Sequence, residues 1–172
     1  LPVSLQQSPD VALGNYPGRD LKVNYEEDIL VGYRWYDTKK IEPLYPFGFG
    51  LSYTSFAISN GATDKKTFDV NDTVTLKCTI KNTGQLEGAE VLQLYASQPV
   101  CSVLRPQKEL KAFEKVVLKA GEQKEVSLKV KIKDLAFYDE KNANWKVEPG
   151  EFIFHLGTSS KEIVNSVSAQ VK

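Results

Sequence analysis

The chain has 172 residues, and its 22 lysines and arginines balance its 22 aspartates and glutamates, so its formal net charge is zero. This balance excludes the basic field that would hold nucleic acid or an anionic membrane. No apolar run approaches the ~20 residues that cross a bilayer, and we do not expect residue 1 to open a signal peptide.

The head of the chain, residues 1–30, carries weak hydrophobic periodicity and many breakers, which predicts extended coil with at most one short strand. Its acidic triplet, Glu26, Glu27 and Asp28, would suit acid–base catalysis or a Ca²⁺ site. Because nothing nearby offers further ligands, we favour a solvated turn before an apolar strand. The sequence begins at Leu1 and contains no methionine, so we expect a piece of a longer protein.

The stretch 31–56, VGYRWYDTKKIEPLYPFGFGLSYTSF, is dense in aromatic side chains, glycines and prolines. Pro43 and Pro46 lack the amide hydrogen that a helix needs, so we predict no regular helix here, and the stretch is too interrupted for one strand. Aromatic side chains on an irregular backbone need a surface to lie against, because each buries a large apolar area. Two interpretations stay open: a plug over one end of a β-sandwich, or a junction that fixes the following domain to something upstream.

From Leu51 onward, apolar residues recur at every second position, which is typical of strands with one buried face. The alternation is clearest at 74–80 and 126–132, and turn sequences such as Asn82-Thr83-Gly84 and Glu148-Pro149-Gly150 separate the strands. Seven or eight short strands with regular turns predict an all-β antiparallel sandwich and no helix of useful length. The other predicted strands are 89–96, 110–118, short ones at 137–138 and 145–147, 152–156, and 163–171.

The strand at 89–96 differs from the others because it is apolar on both faces. Leu92 and Leu94 fall on one face, and Val91 and Tyr95 on the other. We therefore predict that both faces are covered and that the aromatic stretch supplies part of the second cover. Solvent-exposed Val91 and Tyr95 would contradict this.

Few residues are suited to carry chemistry. His155, the one histidine, alternates with apolar neighbours in a strand, so its side chain should point away from the core, and no nucleophile accompanies it. One histidine and two scattered cysteines supply too few ligands for zinc, so we expect neither metal nor cofactor. We interpret Cys78 as a small core residue and Cys101 as free or bonded elsewhere.

Several blocks of sequence are specific enough to suggest a family. They are GYRWYDT with EPLYPFGFGLSYTSF, then KNTGQLEGAEVLQLYAS, then RPQKELKAFEKVVLKAGE, and finally WKVEPGEFIFHLGTSS. In this order they resemble the C-terminal part of family 3 glycoside hydrolases, the β-glucosidase and β-xylosidase group. The first residues, LPVSLQQSPDVALGNYPG, are similar to the end of that family's second catalytic domain, and Asp28 and Trp35 are local departures.

The resemblance implies two parts. Residues 1–48 would be the C-terminal remnant of the second catalytic (α/β) domain with the junction, and residues 49–172 a fibronectin type III-like, immunoglobulin-like sandwich. We predict that the matching junction residues dock the two parts, with the planar guanidinium of Arg34 meeting a carboxylate or carbonyl groups. These residues are Gly32, Tyr33, Arg34, Tyr36, Asp37, Pro46, Phe47, Gly48, Gly50, Leu51, Ser52 and Tyr53.

The same resemblance implies a β-glucosidase-like parent that hydrolyses terminal β-glycosidic bonds with retention, with its catalytic carboxylates upstream. No position here matches either catalytic motif, and the acidic residues lie on solvent faces and in turns, where nothing apolar should raise a carboxyl pKa. We therefore expect a non-catalytic piece that stabilises and docks the upstream catalytic domains of the same polypeptide. Only the parent would bind β-glycosides, and the compartment stays open, with secreted or periplasmic favoured over cytoplasmic.

A second interpretation is a free-standing carbohydrate- or protein-binding module. A sandwich that binds sugar usually exposes aromatic rings on one flat face or at loop tips. The candidates are Tyr138 and Trp145. Exposed and coplanar rings would favour this interpretation, and buried rings would count against it.

Overall fold

The computed structural model describes residues 1, 3–5, 18 and 20–172, and two β-sheets face each other across its hydrophobic core. One sheet has three strands, in the order β1 (Phe56–Thr63), β3 (Thr73–Asn82) and β6 (Gln123–Lys131). The other has five, in the order β2 (Thr67–Phe68), β10 (Ile163–Val171), β9 (Gly150–Gly157), β4 (Gly88–Ser97) and β5 (Glu109–Leu118).

Shorter elements flank the sandwich. The helix α1 (Tyr33–Lys39) precedes the first strand, and a 3₁₀ helix at Ile132–Leu135 leads into a separate hairpin. That hairpin pairs β7 (Phe137–Asp139) with β8 (Asn144–Lys146) in antiparallel register. Within the described residues, no helix has the length and apolar character needed to cross a membrane.

The core forms because the strands alternate as predicted. Val74, Leu76, Cys78 and Ile80 of β3 are at most 2% exposed, while the threonines and lysines between them lie on the outer face. Full burial of a side chain of this size contributes about 1.5–3 kcal/mol. The predicted all-β sandwich is confirmed, and its largest inward side chains include Phe152 and Phe154 of β9.

Two elements differ from the predictions. The expectation of no helix is wrong for α1, because Pro43 and Pro46 lie beyond its end and Lys40 closes it in a left-handed conformation (φ 57°). The antiparallel prediction misses β2, which pairs in parallel with the end of β10. Two residues are too few to show a period of two, so β2 left no pattern in the sequence.

Cys78 and Cys101 are both free, as we interpreted them. Cys78 is 2% exposed in the core. Burial, aided by the charge of Glu125, raises the pKa of its thiol to about 11, so the thiol stays protonated and unreactive at neutral pH.

The head of the chain is described only in part, since residues 2, 6–17 and 19 lie outside the described residues, and with them most of the predicted coil. The acidic triplet lies in a turn at 26–29, with Glu26 and Asp28 exposed, as expected. Leu30, which follows, is 3% exposed. One isolated bridge pairs Leu5 with Tyr45 and ties the head to the aromatic stretch.

Candidate docking site

The aromatic stretch as far as Gly48 lies across the outer face of the five-stranded sheet. The ring of Tyr33 is centred 5.0 Å from the ring of Phe47 and 5.8 Å from that of Tyr95 on β4. The Tyr33 hydroxyl accepts a hydrogen bond from the amide of Leu110 (2.7 Å), and the Phe47 carbonyl accepts one from the amide of Ser160 (2.8 Å). The stretch is thereby attached to β5 on one side and to the loop after β9 on the other.

This contact confirms the prediction that β4 is covered on both faces. Tyr95 is 0% exposed and Val91 is half-buried. The hydroxyl of Tyr95 donates to the side-chain carbonyl of Gln93, which is itself buried. Burial raises the pKa of Tyr95, with smaller effects from Tyr33 and the charge of Asp37.

A buried ion pair lies beneath α1. Asp37 is 4% exposed, and one of its carboxylate oxygens lies 2.7 Å from the ammonium of Lys108. The other oxygen is 3.9 Å from Lys161, whose ammonium also lies 3.3 Å from Glu42 at the surface. The Lys108 ammonium is 5.9 Å from the centre of the Tyr95 ring, which adds a cation–π contact. Because both Asp37 and Lys108 are desolvated, each depends on the other for compensation of its charge.

A second ionic cluster surrounds Glu109 at the start of β5. Its carboxylate lies 3.5 Å from Arg34, 3.1 Å from Arg105 and 3.5 Å from Lys111. Burial alone would raise the pKa of Glu109, but the three cations outweigh it and hold the pKa below its usual range. Arg34, expected to meet a carboxylate, thus lies beside one, while Arg105 also donates to the backbone carbonyl of Leu135.

Glycines allow two close approaches in the junction. Gly48 has φ 86°, and a Cβ there would collide with the side-chain amide of Gln93. Gly48 also donates its amide to the Leu1 carbonyl at 2.7 Å, and Gly32 begins α1 with φ 63°. A side chain at Gly48 would therefore be strained and would displace Gln93, whose amide donates to the carbonyl of Thr158 at 2.5 Å.

The structure leaves four of the predicted junction residues outside this contact. Leu51 and Tyr53 are 93% and 96% exposed, and Gly50 and Ser52 are exposed as well. Tyr36 is 5% exposed and Pro46 is half-buried, so both belong to the part of the junction up to Gly48, which we call the attached half. The predicted set therefore divides into residues that hold the sandwich and residues that face solvent.

Residues 90–160 match the family model of the fibronectin type III-like domain. The chain is 45% identical over 169 residues to beta-glucosidase BoGH3A of Bacteroides ovatus, covering 97% of this chain and 23% of that protein. It is 38% identical over 170 residues to an exo-alpha-(1->6)-L-arabinopyranosidase of Bifidobacterium breve, covering 99% of this chain and 22% of that protein. The solved structure of a GH3 beta-glucosidase from Bifidobacterium adolescentis superposes with a TM-score of 0.91 at 36% identity, covering 98% of this chain and 25% of that one.

The chain matches the C-terminal part of family 3 glycoside hydrolases. The resemblance drawn from the sequence blocks is thereby confirmed, together with its fibronectin type III-like domain. The chain spans about a quarter or less of these relatives' length, 22–25%. The aligned region is their C-terminal, fibronectin type III-like region, in agreement with the prediction of a non-catalytic piece.

The pKa values of the carboxyl groups test whether any acidic residue of this chain is suited to acid catalysis. The expectation that no carboxyl has a raised pKa is wrong for Glu90, where burial raises the pKa and the charge of Glu162 adds to it. The Glu90 carboxylate accepts a hydrogen bond from the adjacent amide of Val91 at 2.8 Å. No carboxyl or imidazole among the described residues hydrogen-bonds to it, and we assign it no catalytic role. In the same part of the chain, no three of the His, Cys, Asp or Glu side chains gather as a metal site requires.

Sequence reasoning missed the residues that receive the junction. These are Gln93, Lys108, Glu109 and Lys161, and no pattern distinguishes the last three from surface residues. The one available signal was Gln93, a polar residue on a strand whose two faces were both predicted to be covered. A polar side chain there needs hydrogen-bond partners inside the cover, which Tyr95 and Thr158 supply.

His155 lies on the outer face of β9, away from the core as expected, and its ring bridges two hydroxyls. One ring nitrogen is 2.8 Å from the Ser97 hydroxyl and the other 2.8 Å from the Ser166 hydroxyl. Burial lowers the pKa of the imidazole, and the positive charge of Lys108 acts in the same direction. The folded protein therefore favours the neutral ring.

Acidification from about pH 7.5 to about 5.5 is expected to lower the free energy of unfolding. The unfolded chain takes up a proton at His155 near its ordinary pKa, whereas the folded state resists protonation until a lower pH. The contribution of His155 to stability should be fully present above its pKa in the unfolded chain. It should be lost as the pH falls from that pKa toward the lower pKa of the folded state. Urea titrations at both pH values measure it. His155→Gln should remove the loss of stability on acidification, because His155 is the only histidine and the raised pKa of Glu90 acts in the opposite direction. An unchanged slope in the variant would contradict this assignment.

Proposed function

We propose that this chain is the non-catalytic C-terminal part of a β-glucosidase-like enzyme and docks its sandwich onto catalytic domains upstream in the same polypeptide. The observation that carries the proposal is the division of the junction into two halves. Tyr33, Asp37 and Phe47 hold the five-stranded sheet, while Leu51 and Tyr53, a few residues later, are 93% and 96% exposed. In this proposal residues 1–48 end the upstream α/β domain and residues 49–172 form the attached sandwich.

The five-stranded sheet has exposed apolar side chains of its own. On β5, Phe113 and Val117 point outward and are 68% and 59% exposed. Val117 of β5 pairs with Ala89 of β4, and Phe113 pairs with Gln93. The side chain of Gln93 in turn contacts Gly48. We name Leu51, Tyr53, Phe113 and Val117 the apolar strip.

An apolar strip of this kind favours a protein partner. In this proposal one upstream domain covers all four side chains, because extensive exposed apolar surface marks interaction sites. Burial of each large side chain would contribute about 1.5–3 kcal/mol to docking. Leu51 and Tyr53 directly follow the attached half of the junction, so a domain joined to residues 1–48 would reach them without a long linker.

The choice of sugar is proposed to lie outside this chain. Relatives named as a beta-glucosidase and as an arabinopyranosidase share this region at 45% and 38% identity, although their names give different sugars. A region common to both is better suited to a shared structural role. The β-glycoside substrate would then contact only the upstream domains of the parent.

The proposal is tested by making the same substitution in two settings. Leu51→Ser with Tyr53→Ser should leave the stability of this chain unchanged, because both side chains are solvent-exposed in it. In a longer polypeptide with the upstream domains, the same pair should lower the melting temperature by several degrees, because it removes about 3–6 kcal/mol of stabilisation from apolar burial. Calorimetry of both proteins measures the difference.

The matched control is Val100→Ser, a substitution of a side chain that is 84% exposed and lies outside the strip. It should leave the melting temperature unchanged both in this chain and in the longer polypeptide. This chain alone should not turn over an aryl β-glucoside above a buffer blank. Turnover by the chain alone, or an equal effect of the double substitution in both settings, would refute the proposal.

A further inference from the structure

A cleft of about 700 Å³ opens at one end of the sandwich, apart from the apolar strip. The β7–β8 hairpin forms one wall, the loop from Ser102 to Pro106 forms another, and Asp28, Ile29 and Arg34 close the third side. Its lining combines exposed aromatic rings with charged groups of both signs. Concave sites with a few polar groups around apolar surface are where small ligands bind.

The aromatic part of the cleft is a cross-strand pair. Tyr138 and Trp145 are directly opposite in the hairpin, 50% and 73% exposed, with ring centres 5.6 Å apart and ring planes at 71°. The rings are thus exposed but not coplanar, which rules out the flat platform that would hold an extended polysaccharide surface. An edge-to-face pair instead makes a fixed corner, large enough for one or two sugar rings to stack on one ring and touch the other.

The charged groups of the cleft suit a neutral polyhydroxylated ligand. Arg34 lies 3.5 Å from Glu109 through one nitrogen and keeps 37% of its side chain exposed, so its guanidinium has N–H donors beyond those of that nitrogen. Glu140, Lys141 and Lys146 on the hairpin are exposed and add acceptors and donors of opposite sign. Sugar hydroxyls donate and accept at once, whereas an anionic ligand would be repelled by Asp28, Asp139 and Glu140, which also line the cleft.

We infer that this hairpin cleft binds the end of a neutral oligosaccharide chain. Trp145 supplies the stacking face, Tyr138 fixes the orientation of the indole, and Arg34 with the hairpin charges receives the hydroxyl groups. The inference does not depend on the apolar strip or on docking, because the cleft is complete within this chain. It therefore stands or fails independently of the proposed function.

The test titrates the ¹⁵N-labelled chain with cellotetraose and follows both indole N–H signals by NMR. The chain has two tryptophans, so Trp35, on α1, is an internal reference. We expect the Trp145 indole and the amides of 138–146 to shift and saturate, while the Trp35 indole stays in place. Trp145→Ala should weaken binding at least about tenfold, read at the hairpin amides, and Tyr138→Ala by a smaller factor.

The matched control is Tyr25→Ala, which removes an aromatic side chain that is 81% exposed and does not line the cleft. It should bind cellotetraose like the unsubstituted chain. Tetragalacturonate, an anionic chain of similar size, should bind more weakly. The absence of saturable shifts, equal binding by Trp145→Ala in a folded variant, or tighter binding of tetragalacturonate would each overturn the inference.

Discussion

Asp37→Asn is expected to detach the aromatic stretch from the five-stranded sheet while the sandwich itself stays folded. Asn has almost the same shape, so packing under α1 is retained and only the charge is lost. Lys108, with 11% of its side chain exposed, would then keep a buried ammonium without its carboxylate at 2.7 Å. Removing one member of a buried ion pair costs about 3–5 kcal/mol, because the remaining charge is left uncompensated. Releasing the stretch hydrates Lys108 without disturbing the core between the sheets, so the response should be local.

Hydrogen exchange measures this local release. The amides of Leu110 and Ser160 donate to Tyr33 and Phe47, so they should exchange faster in Asp37→Asn, whereas amides of β3 should keep their protection. Glu42→Gln is the matched control, since Glu42 pairs with Lys161 in the same junction but is 72% exposed. An exposed pair contributes at most about 1 kcal/mol, so exchange should hardly change. Equal protection in the two variants would show that the buried pair does not hold the junction.

The sandwich could be predicted because its strands bury the side chains of one face and expose those of the other to solvent. In β3 the inward residues Val74 to Ile80 and the outward lysines and threonines alternate without a break, and that pattern has no helical counterpart. The helix α1 could not be predicted in the same way. Its seven residues are stabilised mainly by contacts that Tyr36 and Asp37 make underneath, and such tertiary contacts leave no period in the sequence.

The candidate site was predictable on one side only. Tyr33, Arg34 and Asp37 could be selected because their motif resembles a family element, and the two-sided apolar character of β4 correctly indicated that something covers Tyr95. Their partners lie far away along the chain, as Lys108 does from Asp37, a separation of 71 positions. Only folding brings them together, and a lysine in a loop has the same appearance in sequence whether it pairs with a buried carboxylate or faces water.

Asn82→Ala is expected to destabilise the whole sandwich by about 3–5 kcal/mol, a global effect in contrast to that of Asp37→Asn. Asn82 is 0% exposed, and its side chain makes four hydrogen bonds. Its carbonyl accepts from the Thr54 hydroxyl at 2.7 Å and the Gly84 amide at 3.0 Å. Its amide group donates to the carbonyls of Leu86 at 2.8 Å and Leu118 at 3.0 Å. One side chain thus connects the approach to β1, the turn after β3 and the end of β5.

The sequence analysis assigned Asn82 to a turn, and turn residues are usually replaceable at small cost in stability. The loss of stability of Asn82→Ala in urea therefore decides whether Asn82 only closes a turn or connects the three segments. Asn142→Ala is the matched control, because Asn142 also lies in a turn but is exposed and makes one side-chain hydrogen bond, to Asp139.

Asn82→Asp separates the hydrogen bonds that the Asn82 side chain accepts from those that it donates. A carboxylate keeps the contacts to Thr54 and Gly84 but directs its second oxygen at two carbonyl oxygens, so its folded pKa should be raised. Asn82→Asp should therefore be strongly destabilised at neutral pH and should recover as the pH falls through that raised pKa and the carboxyl becomes a donor. If Asn82→Ala and Asn142→Ala unfold at the same urea concentration, the side chain does no more than close a turn.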